Sequence, residues 1–285
     1  MTIETKREFF QDVWPEVYSS RQNRNVLKWS VVGVNNYKIN TKDGEKEVPC
    51  LIVSKDQVMG IIPLEEAGVK VDEKTVVNRA RLIKYVGQET PFIVIGIDSK
   101  NDRFIASRKA ALQRMAAQTW PTLKVGAIVT ATARRVYENS VVVEFGGVEA
   151  YLPIYEISYG WVEEILDLIQ PGDVFDVKVK ELDAENERVV VSVKDLIPNP
   201  WPGAEKRYQR RGVYSGAVTG VTRYGIFVSL EPGVNALCRH LRTDRFKVEK
   251  GDSVAIVITG VKMEKGEGQI SGNVIRIIRK NRAAS

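Results

Sequence analysis

Gly172–Asp183 reads GDVFDVKVKELD, a turn glycine followed by apolar residues at every second position, which marks a half-buried strand. A polar turn, Ala184–Glu187, leads to Arg188–Ser192 (RVVVS), and the two runs close as a hairpin. The same unit occurs twice more. Gly87–Asp98 (GQETPFIVIGID) passes through Ser99–Asp102 to Arg103–Ser107 (RFIAS), and Gly251–Lys262 (GDSVAIVITGVK) passes through Glu264–Gly268 to Gln269–Ser271. Each second run ends on a serine, and the serines stand 85 and 79 residues apart, the length of a small five-stranded barrel.

Shorter strands precede each hairpin. Before the middle one come Lys124–Arg135, Ser140–Phe145 and Gly146–Pro153; before the last come Gly212–Val221, Arg223–Leu230 and Gly233–Arg239. The first copy has Val48–Ser54 and Val58–Pro63, with opening strands near Val26–Val34 and a long stretch, Leu64–Tyr85, before its hairpin. Ahead of all three, residues 5–20 set Phe9, Phe10, Val13, Val17 and Tyr18 at helical spacing, with Pro15 expected to kink or end the helix. That apolar stripe suits either docking on a partner or packing on the first module. Thr119–Leu123 and Pro198–Gly203 read as linkers, the second stiffened by proline, so the modules are expected to move as beads on short tethers.

Composition excludes several classes. The 285 residues are 44% hydrophobic and 27% charged, ordinary for a packed globular chain. No apolar run approaches the roughly 20 residues of a membrane helix, and the first residues lack an apolar signal core, so no membrane partner and a cytoplasmic location are expected. Cys50 and Cys238 form no CxxC pair and His240 is the single histidine, which argues against a disulfide framework, a metal centre or a bound cofactor. With no P-loop, no Gly-x-Ser-x-Gly and no carboxylates at catalytic spacing, no catalytic residue and no enzymatic activity are expected; Glu163-Glu164 reads as an exposed helix face. The net charge of +6 is unevenly spread: 19 basic against 15 acidic residues over 1–119, 7 against 14 over 120–202, and 16 against 7 over 203–285. A basic last third beside an acidic middle is the distribution of a chain with one polyanion-binding end.

The succession of Tyr-Gly-x-Phe-Val, Gly-Val-x-Ala-Leu, a helical stretch, Gly-Asp-x-Val and a final strand ending near Ser resembles the S1 domain. This is the OB-fold RNA-binding module named after small-subunit ribosomal protein one. The resemblance runs over residues 25–280, closest in the middle and last copies. It implies an all-β chain of three tandem five-stranded OB-fold barrels with a short N-terminal helix. The implied divisions are an extension (1–24), a divergent module (25–118), an acidic module (122–197), a Pro-rich linker (198–206) and a basic RNA-binding module (207–281).

In an OB-fold the second and third strands carry the nucleic-acid face. The resemblance places stacking aromatics at Tyr224 and Phe227. It aligns a frequent family histidine with Arg239, one residue before His240. Period-two alternation lets only one of that pair face the ligand, and Arg239 is preferred because a guanidinium both stacks on bases and contacts phosphate. Arg223, His240, Arg242, Arg245 and Lys247 complete the expected basic rim. In the middle copy Asn139, Val142 and Pro153 fall where the two aromatics and the histidine would be, so its stacking platform is expected to be missing, with Arg134, Arg135 and Tyr137 left as a polar strand edge. In the first copy Arg79, Arg81 and Lys84 read as the solvated face of a helix. The implied partner is single-stranded RNA, such as messenger RNA, bound by a monomer. The alternative is an adaptor whose N-terminal helix and acidic module dock on the small ribosomal subunit or an RNA-processing machine.

Overall fold

The computed structural model describes residues 12–41, 44–98, 101–240, 247–264 and 267–280. They form three closed five-stranded barrels. The first contains β1 (Leu27–Thr41), β2 (Gly44–Lys55), β3 (Val58–Pro63), β4 (Glu89–Asp98) and β5 (Arg103–Ser107). The second contains β6 (Ile128–Val136), β7 (Ser140–Phe145), β8 (Val148–Pro153), β9 (Val174–Asp183) and β10 (Arg188–Ser192). The third contains β11 (Val213–Thr222), β12 (Gly225–Glu231), β13 (Val234–Arg239), β14 (Ser253–Glu264) and β15 (Glu267–Arg279). In each, the strands run in the order first, second, third, fifth, fourth around the barrel, and the third and fifth pair in parallel.

The period-two pattern explains the closure. In β13, for example, Val234, Ala236 and Cys238 point inward and are buried, while Asn235, Leu237 and Arg239 point outward. Each opening strand carries a bulge at the same place, before Gly33, Arg135 and Gly220, and each bulge bends the strand so that it can pair on both sides. The register also corrects the alignment of the closing serines. Ile105, Val190 and Ser271 are equivalent, each standing opposite the outward residue of its parallel neighbour. Ser107 and Ser192 therefore match Asn273. These serines share a duty that the third copy lacks: Ser107 caps α3 (Arg108–Thr119) by accepting from the Ala110 amide at 2.9 Å, and Ser192 accepts from the Asp195 amide at 3.1 Å. In the third barrel β15 continues to Arg279 instead of stopping at Ser271.

The N-terminal helix, α1 (Trp14–Asn23), has Pro15 in its first turn, where the missing amide costs no hydrogen bond; the proline starts the helix rather than ending it. Val13 and Val17 are buried in the first core beside Trp29, Phe92 and Phe104, so this part of the apolar stripe packs on its own barrel while Tyr18 stays exposed. Phe9 and Phe10 lie outside the described residues. In α2 (Thr75–Ile83), Arg79 meets Asn36 and Arg81 meets Asp72 and the Lys70 carbonyl, as a solvated face would. The helical stretch expected after β8 is two 3₁₀ turns, Ile154–Glu156 and Ile165–Asp167, and Glu163 precedes the second of them rather than lying on a helix.

The barrels are packed against one another, contrary to the expectation of tethered beads. α3 carries the chain from the first to the second and lies on the β7–β8 hairpin; a Cβ on Gly147, which also has φ of +79°, would run into the Leu112 carbonyl. At its first residue, fully buried Arg108 pairs with Glu144 of the second barrel and donates to the Ala67 carbonyl of the first at 3.1 Å. Arg134, from the second barrel, holds the other oxygen of Glu144 at 2.9 Å and donates to Gln88 and to the Glu89 carbonyl of the first. A buried carboxylate between two guanidiniums thus joins the barrels. Breaking such a pair exposes the remaining charge to desolvation, worth about 3–5 kcal/mol.

Candidate nucleic-acid interface

The strand register assembles the outer face of the third barrel from residues distant in sequence. Gly220, Phe227, Leu237 and Ser271 lie side by side across β11, β12, β13 and β15. One step along, Arg239 stands next to Asn273. The β11–β12 turn closes the end of this row. There Tyr224 is 84% exposed and Arg223 is also exposed, while His240 bonds through Nε2 to the Thr222 carbonyl at 2.7 Å, tying the end of β13 to the turn. Gly225 makes that approach possible, since a Cβ there would stand 2.5 Å from the Cys238 carbonyl.

The predicted residues therefore fall into three groups. Tyr224, Arg223, Arg239 and His240 are brought together at one end of the face. Phe227 lies in the row itself, half-buried, while its neighbours Ile226 and Val228 point into the core. Lys247 is exposed and 4.0 Å from Glu249; Arg242 and Arg245 lie outside the described residues. Sequence reasoning missed Leu237, Ser271 and Asn273. Leu237 was accessible to it, being two residues before Arg239 on the same face; the two β15 residues were hidden by the misplaced serine alignment.

The equivalent row of the second barrel is Arg135, Val142, Tyr151 and Val190, and that of the first is Gly33, Ile52, Ile61 and Ile105. Val142 does occupy the place of Phe227, as expected. Yet the second barrel is not without outward aromatics: Tyr151 stands where Leu237 does, and Tyr137 and Tyr155 are exposed. Arg135 is engaged with Glu149 at 2.7 Å, and Arg134 is committed to the inter-barrel pair.

Between the second and third barrels lies a cleft of about 420 Å³, lined among others by Asn139, Tyr155, Trp161, Asn235 and Gln269. The two barrels are also joined by Lys250 with Glu163 at 2.5 Å and by Lys194 with Glu267 at 2.7 Å. The hydrogen bond that Lys250 donates to Glu163 is the largest influence on its ammonium and holds it above its ordinary pKa; burial opposes this, and the charges of Glu163, Asp167 and Glu164 add to it. Burial pushes both thiols, Cys50 and Cys238, up to about 12, so neither is a nucleophile at neutral pH. Among the described residues no group of His, Cys, Asp and Glu is arranged to hold a metal, and no helix is long and apolar enough to cross a membrane.

Residues 122–194, the whole second barrel, match the family model of the S1 RNA binding domain. The second barrel thus resembles the S1 domain over its whole length. Its strand order and bulge are repeated in the barrels on both sides of it. Over 223 residues the chain is 31% identical to small ribosomal subunit protein bS1 of Leuconostoc lactis, covering 74% of this chain and 50% of that one. It is 32% identical over 194 residues to a 4-hydroxy-3-methylbut-2-enyl diphosphate reductase of Clostridium tetani, covering 64% of this chain and 31% of that one. The chain thus spans about half the length of its ribosomal relatives and about a third of the reductase. A multidomain protein with nucleic acid binding domains from Streptococcus pneumoniae aligns with a TM-score of 0.19 and 14% identity over 87% of this chain and 72% of that one.

Proposed function

We propose that this chain is a non-catalytic, single-stranded RNA-binding protein acting in translation or RNA metabolism, with its principal contact on the third barrel. The observation that carries this reading is the convergence of exposed Tyr224 with Arg223, Arg239 and His240 at the end of the Phe227–Leu237 row. A flat exposed ring stacks on a base of any identity, and guanidiniums neutralise the adjoining phosphates, which gives affinity with little sequence preference. The basic last third supplies the longer-range attraction, and the shared S1 domain supports the choice of RNA.

The ribosomal relatives support association with the small ribosomal subunit in the cytoplasm. The burial of Val13 and Val17 removes that part of the N-terminal stripe from such a contact. The test is an anisotropy titration of the full chain with a single-stranded RNA of about ten nucleotides, a length within the range of one OB-fold site. Tyr224→Ala with Arg239→Ala is expected to weaken binding at least tenfold, consistent with about 1–3 kcal/mol per stacked base. Unchanged affinity would remove the site.

A further inference from the structure

Trp161 belongs to the second barrel, yet its indole lies flat on Phe227 of the third, with ring centroids 3.7 Å apart and planes within 10°. It projects from the segment between the two 3₁₀ turns, where the adjoining Val162 is packed into the second core. The seat it takes is shaped for a flat ring. Gly220 contributes no side chain, and a Cβ there would stand 2.8 Å from the indole Nε1. Gly220 and Phe227 are partners in register, so the indole covers both strands at the start of the outward row.

The two other barrels show the same position in other states. The second has Arg135 there, turned toward Glu149. The first has Gly33, over which a Cβ would meet nothing within 4 Å. Only in the third barrel is the bare glycine paired with an aromatic residue, and there the chain lays its own heteroaromatic ring on the pair. Beside it, the carboxamides of Asn139, Asn235 and Gln269 line the cleft and offer both donors and acceptors to the edge of a base.

We propose that the seat over Gly220 and Phe227 is a nucleobase-stacking site that the RNA-free chain fills with Trp161, so that single-stranded RNA enters it by displacing the indole. This rests on the RNA-binding reading of the third barrel. Ring on ring and base on ring are interactions of the same order, so the exchange is close to balanced at the seat itself. The indole competes as a tethered group at high effective concentration, and the measured affinity is reduced by the fraction of chains in which the seat is filled. The ion pairs of Lys250 with Glu163 and of Lys194 with Glu267 favour the filled state by holding the barrels together.

Trp161→Ala in the full chain is therefore expected to raise the affinity for a short single-stranded RNA by about threefold to tenfold, the range of one aromatic pair. A fall or no change in affinity overturns the proposal; if Tyr224→Ala still weakens binding in that case, the RNA-binding reading survives without it. A second measurement needs no loss of the side chain. With 5-fluorotryptophan incorporated and the Trp161 resonance assigned through Trp161→Phe, saturating RNA is expected to move that ¹⁹F signal to the position of a solvent-exposed tryptophan. A signal that stays in place while RNA is bound overturns the displacement. Binding that is unaffected by Tyr224→Ala would remove the RNA face itself, and the proposal with it.

Discussion

The second and third barrels share strand order, bulge position and register, and differ in what their outward rows present. At equivalent places the second has Arg135, Val142 and Tyr151, and the third has Gly220, Phe227 and Leu237. The charges differ in use as well as in sign. The second barrel commits Arg134 to a buried pair, closes Arg135 on Glu149 and engages Glu163 with Lys250 of its neighbour. The third leaves Arg223 and Arg239 exposed beside Tyr224, with Lys247 exposed near Glu249. Part of the contrast between an acidic middle and a basic end is therefore complementarity between touching barrels. The rest remains available to a polyanion.

The largest effect expected from breaking this contrast is on stability. Glu144→Ala leaves Arg108 and Arg134 buried without their counter-charge and should cost about 3–5 kcal/mol in denaturant unfolding. RNA affinity, measured where the variant is folded, should stay within twofold, since these arginines hold barrels and do not bind phosphate. Next in size is a transplant: Val142→Phe gives the second barrel the row aromatic of the third, beside its exposed Tyr151. At about 1–3 kcal/mol per stacked base, a second site of this kind should strengthen binding to an RNA long enough to span both barrels at least fivefold. A smaller effect is expected from Arg223→Gln with Lys247→Gln, which should flatten the dependence of log affinity on log salt by about 0.7 for each phosphate that the variant no longer neutralises. The smallest is Arg135→Gln. Its guanidinium already closes on Glu149 in a partly exposed pair, and both stability and RNA affinity should change by less than about 1 kcal/mol.

Alternating apolar residues made the three barrels legible, because a half-buried strand imposes its period on the sequence whatever the surrounding loops do. The alignment implied by the S1 resemblance puts Val142 and Pro153 at the positions of Phe227 and Arg239, and the strand register agrees. Two things were hidden. Ser271 looked like the partner of Ser107 and Ser192 because all three close a strand run, but each of those two serines accepts the amide three residues on, and only pairing with β3 and β8 shows their equivalence to Asn273. The contacts between barrels were hidden for a different reason. Arg108 and Arg134 are of an ordinarily exposed type and Trp161 is a single aromatic residue in an irregular segment, and no local pattern marks a guanidinium that will be buried against another module or an indole that will lie on another module's phenylalanine.

The central claim is that RNA lies on the third barrel rather than on the second, although it is the second that matches the S1 domain most directly. Photocrosslinking tests it. A short single-stranded RNA carrying 4-thiouridine at each position in turn, irradiated with the full chain and mapped by peptide mass, should attach within residues 223–240. Crosslinks confined to residues 134–153 of the second barrel would contradict the account.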